Sequence, residues 1–155
     1  MRVLLSMTIA ALMIPALAHA QQDATAGWRP GLGDLMTMTV QPRHLKLGLA
    51  GQEKNWAYAQ YELHELEESF ERVAHVWPKW RDVAIADTLQ ATMKEPLEAV
   101  EAVVKARDAA KFADAYGRLT ATCNACHQSA NVGMIVIQVP KSSPFANQDF
   151  RPAKP

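Results

Sequence analysis

Residues 55–78, NWAYAQYELHELEESFERVAHVWP, decide the fold. Their apolar members Trp56, Ala59, Leu63, Leu66, Phe70, Val73 and Trp77 recur at alternating steps of three and four. That spacing gathers them on one side of a 3.6-residue helix, a seam for packing against other helices. Asn55 is a good N-cap and Pro78 stops the helix, so both ends are marked. Glu62, Glu65, Glu67, Glu68 and Glu71 lie off the seam and read as a solvated face.

Working outward, the same period returns on both sides. Ile85, Leu89, Met93, Leu97, Val100 and Val104 define another helix, which Pro96 is expected to kink or divide. A last helix starts at the N-cap Asp108 and carries Phe112, Tyr116, Leu119, Cys123 and Cys126 or His127 on one stripe. The earliest helix lies in GDLMTMTVQPRHLKLGLAG (33–51). It begins either at Asp34, with Pro42 as a kink, or at Gln41, with Pro42 in the first helical position, and Gly51 suits its C′ position. Connections of a few residues then predict an all-α fold, an antiparallel four-helix bundle over 34–130. Residues 131–155 form a non-helical C-terminal tail in which Ile135–Val139 can lie extended over something apolar, and the proline-rich end is expected to be loosely held.

The segment before the bundle has a different character. MRVLLSMTIAALMIPALAHA (1–20) combines Arg2, an apolar run too short to span a bilayer, and a small-residue site at Ala18-His19-Ala20. This is the anatomy of a signal peptide, with cleavage expected after Ala20 and residues 21–33 left as a linker that Trp28 pins to the domain. No later stretch is a candidate membrane span, so the mature chain is expected in the periplasm. Cleavage removes Arg2 and no acid from a chain of 16 basic and 16 acidic residues. The resulting charge of about −1 argues against nucleic acid or an anionic membrane as partner.

Both cysteines fall in TATCNACHQSA (120–130). On a helix, residues i, i+3 and i+4 share a face, so Cys123, Cys126 and His127 point the same way. Covalent haem attachment needs that arrangement: two thiols add to the two vinyl groups on one porphyrin edge, and the next residue's imidazole reaches the iron. Dithiol exchange fits poorly, because such sites put the first cysteine at a helix N-terminus after a strand. Zinc lacks two ligands, and a disulfide between residues three apart on a helix is awkward and closes almost no loop.

CNACH (123–127), near the end of the last helix of a predicted four-helix bundle, resembles the cytochrome c′ and cytochrome c-556 class. The resemblance implies one covalent haem c, Cys123 and Cys126 as the thioether positions, and His127 as the proximal iron ligand. In an up-down-up-down bundle, the end of the last helix lies beside the start of the first. His44 is the leading candidate for the sixth coordination position, since it shares the inward face of Leu47 and imidazole binds iron well. Met36 or Met38 are the alternatives, because a first-helix methionine plays that part in the c-556 class. Arg43 and Lys46 are candidates to neutralise the haem propionates. Two strong axial ligands imply an electron carrier that serves a redox partner protein; an empty sixth position implies a protein that binds NO or CO. No catalytic constellation stands out, so an enzyme is not expected. Bundles of the class often form homodimers through their first two helices.

Overall fold

The computed structural model describes residues 28–154. The signal peptide read in 1–20, and the linker before Trp28, lie outside the described residues. Four helices fill most of the rest. The first, α1, is continuous through Leu32–Leu35, Met36–Val40 and Gln41–Gln52. It is followed by α2 (Trp56–Val76), α3 (Ile85–Ala106) and α4 (Ala109–Ser129). Consecutive helices pack together and α1 closes against α4, which makes the expected bundle. Among the described residues the only β pairing is an isolated bridge between Trp80 and Val83, and no helix is long and apolar enough to cross a membrane.

The predicted seams meet in the core. Leu47, Leu63, Leu66, Val73, Val100 and Leu119 are fully buried. Each such side chain contributes roughly 1.5–3 kcal/mol relative to an exposed one. Both predicted N-caps form: Asn55 Oδ1 accepts from the Tyr58 N–H at 3.3 Å, and Asp108 Oδ1 from the Lys111 N–H at 3.1 Å. Pro96 does not divide α3, which runs unbroken through it with the ring buried in the core.

Pro42 neither starts α1 nor breaks it. Proline has no N–H to give the Met38 carbonyl, and its ring crowds that oxygen. The preceding residues Met36–Val40 widen into a π-helical turn, with the Gln41 N–H bonded to Met36 O. One extra residue per turn is how a helix absorbs such a defect without ending.

Several sequence expectations are corrected by packing. Gly51 is not a C′ residue, because α1 continues to Gln52 and the left-handed turn falls on Lys54 (φ 57°). Gly51 is needed for close approach: a Cβ there would sit 2.0 Å from Phe112 Cζ. Glu62 is not solvated; it is buried and paired with Arg43 at 3.2 Å, which also reaches Glu65 at 3.0 Å. Trp28 is exposed and pins nothing. The linker is held by Trp77, whose indole N–H donates to Pro30 O at 2.9 Å while the Arg29 guanidinium lies 3.6 Å over its ring.

The C-terminal tail is held along much of its length. Gln52 Nε2 donates to Pro140 O and Asn55 Nδ2 to Arg151 O, both at 3.1 Å. Phe150 is buried and stacks on Tyr58 with centroids 5.5 Å apart. A single buried ring near the end outweighs the loosening effect of the prolines around it.

Two glycine-to-alanine changes should have opposite signs. Gly51→Ala should lower the unfolding free energy from urea titration by about 1–3 kcal/mol of overpacking, less a helix-propensity gain of about 1 kcal/mol. Gly117, in mid-α4, has nothing within 4 Å of a built Cβ, so Gly117→Ala should raise it by about 0.5–1 kcal/mol. Equal shifts in the two variants would contradict this packing.

Candidate functional site

The stripe on α4 opens into a cavity of about 340 Å³ at one end of the bundle. Cys123, Cys126 and His127 all line it. The opposite wall comes from Leu32, Met36, Val40 and His44 of α1, with Phe70 of α2 and Ile85, Leu89 and Met93 of α3. Trp80 and Arg81 enter from the α2–α3 connection, and Val132, Ile135 and Ile137 from the tail. The expected tail segment thus does lie over something apolar, the mouth of this cavity. A concave, mostly apolar site with a few convergent polar atoms is the usual form of a cofactor pocket.

The two thiols are free and half-buried. Burial, with Cys126 close by as a second cause, pushes the Cys123 thiol up to about 11, and burial also raises Cys126. Both are therefore neutral thiols at pH 7, the opposite of the thiolate that a dithiol oxidoreductase requires. Among the described residues no three His, Cys, Asp or Glu side chains converge as a metal-ion site, which removes the support a zinc reading would need. Two thiols and an imidazole on one wall of an apolar cavity fit a covalently attached haem.

His127 is oriented by the tail. Its Nδ1 lies 2.8 Å from Ile135 O. A carbonyl can only accept, so Nδ1 carries a proton and Nε2 is the nitrogen that can offer a lone pair in the neutral ring.

His44 is committed elsewhere. Its Nε2 is 3.0 Å from Thr120 Oγ1 and its Nδ1 is 3.1 Å from the Tyr116 hydroxyl. The Thr120 hydroxyl donates its one proton to Tyr116 O at 2.9 Å, so it must accept from His44 Nε2–H. Nδ1 then accepts from the Tyr116 hydroxyl, whose single proton is shared between Nδ1 and His44 O at 2.8 Å. Neither ring nitrogen of His44 is left to offer a lone pair to the cavity; the imidazole stacks on Tyr116 at 4.8 Å and forms part of the wall.

The methionines divide. Met38 is 73% exposed and faces away, whereas Met36 lines the cavity, as does the buried Met93. α1 and α4 run antiparallel with His44 beside Thr120. Eight residues back along α1, about 12 Å at 1.5 Å per residue, brings Met36 level with Cys126 and His127.

Arg43 and Lys46 do not line the cavity. Arg43 is held by Glu62 and Glu65, and Lys46 lies 4.9 Å over the Phe145 ring. The cation at the cavity is Arg81, in a left-handed conformation (φ 52°) and 4.1 Å over Trp80. Its signal in the sequence is slight: a basic residue after Pro78 at the end of the bundle where CNACH terminates.

Burial lowers the His44 pKa from 6.5 to about 4. Between those values the unfolded chain binds a proton that the folded chain refuses, so stability should fall as pH drops from about 6.5 towards about 4. His44→Gln should flatten that slope in urea titrations at several pH values, and an unchanged slope would contradict the assignment.

The family model described as Cytochrome C′ matches residues 54–129. Comparison with curated proteins and with solved structures finds no match. The matched span covers α2, α3 and α4, including both thiols and His127. Over residues 54–129 the chain is cytochrome c′-like, similar to the four-helix-bundle c-type cytochromes.

Proposed function

We propose that the chain is an exported monohaem cytochrome that carries electrons in the periplasm. In this reading one haem c is attached through Cys123 and Cys126, His127 Nε2 is the proximal ligand, and Met36 completes the iron's coordination from α1. The observation that carries it is the shared cavity, with two thiols and an imidazole on α4 and a thioether level with them on the facing wall. The His44 and Thr120 bonds favour Met36 over His44 as the sixth ligand.

Haem supplies a one-electron iron couple. The chain's own residues do the rest. Cys123 and Cys126 would hold the porphyrin edge on α4, while Phe70, Ile85 and Leu89 would exclude water and make the site a low-dielectric one. Arg81 is the residue suited to pair with propionate carboxylates, through its planar guanidinium. With His127 and Met36 both holding the iron, no site for substrate would remain. The protein would then exchange electrons with a redox partner protein and turn nothing over.

The competing reading is a five-coordinate protein that binds NO or CO, which the apolar lining around Val40 and Leu89 would also accept. Absorption spectra of the oxidised, reduced and CO-treated holoprotein separate the two. Low-spin bands indifferent to CO are expected for the wild type, with Met36→Ala becoming high-spin and CO-reactive. A wild type that is already high-spin and shifts with CO would overturn the electron-carrier reading. A Met36→Ala variant that stays low-spin would overturn the ligand assignment.

A further inference from the structure

The first of the two residues between the cysteines has a task that the C-x-x-C-H pattern does not explain. Asn124 faces the tail and pairs with the backbone of Ile137 twice: its Nδ2 donates to Ile137 O at 2.9 Å, and its Oδ1 accepts from the Ile137 N–H at 2.8 Å. One amide side chain thereby satisfies both backbone groups of an extended residue, as a neighbouring strand would. The chain reaches that point through a tight reversal. Asn131 takes a left-handed conformation (φ 58°), and the Val132 N–H bonds back to His127 O at 2.9 Å. A further turn, Ile135 N–H to Val132 O at 2.9 Å, brings the Ile135 carbonyl over the imidazole.

We propose that residues 131–137 form a clasp for the proximal ligand, with Asn124 as the positioning residue that locks it, so that the Ile135 carbonyl holds His127 Nδ1–H and sets the imidazole's donor strength. The proposal rests on the reading of His127 as the iron ligand. An acceptor on the remote N–H fixes the ring's orientation and tautomer and makes the other nitrogen a stronger donor. A stronger donor favours the more highly charged, oxidised iron and so lowers the reduction potential. The clasp also accounts for the exposure of Met134 and Val136 in this segment: its backbone bonds, with Ile135 and Ile137 at the cavity mouth, place it.

The test uses the holoprotein and two readouts, the midpoint potential and the hydrogen-exchange rate of the proximal ring N–H by NMR in the reduced state. Asn124→Leu removes both bonds to Ile137. It should raise the midpoint potential and speed the exchange while the haem stays covalently bound. Asn124→Asp retains the acceptor for the Ile137 N–H but not the donor. It should give a smaller shift in the same direction, and it decides the matter if the leucine variant fails to mature. Unchanged potential and exchange in a haem-loaded variant would overturn the clasp and leave the cytochrome reading intact. A wild type without covalent haem would overturn both.

Discussion

The contact between α1 and α4 governs the rest of the structure. At one end it is as close as two helices allow: a Cβ on Gly48 would meet Tyr116 at 2.5 Å, and one on Gly51 would meet Phe112 at 2.0 Å. In the middle, the His44 bonds to Thr120 and Tyr116 fix the register. Beyond His44 the same two helices supply facing walls of the cavity. His44 therefore closes the dry end of the bundle and borders the open one. It can stay neutral and buried there because both ring nitrogens have partners, which is the condition for placing a polar ring in a core.

Much of this was legible in the sequence. The α2 seam, the caps at Asn55 and Asp108, and the shared face of Cys123, Cys126 and His127 follow from helical period and side-chain chemistry alone. What could not be read depends on which helix lies opposite. Gly51 carries two common meanings, chain reversal and close approach, and only the ring of Phe112 selects the second. Glu62 sits among four exposed-looking glutamates and is distinguished only by Arg43 reaching it from α1. Pro42 signals a disturbance, but a π turn that absorbs it leaves no separate signature in the sequence. The inward face of His44 is plain from its spacing to Leu47, but the groups its ring nitrogens meet lie more than seventy positions away, on α4.

The tail shows the same limit in a different form. Its lack of helical period was plain, and its apolar stretch pointed to a covering role. That it ends tied down at Phe150 depends on Tyr58 presenting a ring in the first turn of α2. Asn124 stands inside a motif in which that position is free to vary, so its attachment to Ile137 is visible only when the chain has folded back. The site is thus built by local geometry on α4 and completed by two remote segments, α1 and the tail, that sequence period cannot bring together.

The central claim is that Cys123 and Cys126 are tether points for a porphyrin. Intact-mass measurement after acidified-solvent extraction, on protein matured in a host competent for haem attachment, tests it most directly. A chain heavier by one haem is expected, with the adduct lost when both cysteines are changed to serine. A wild-type mass equal to that of the bare polypeptide would contradict it.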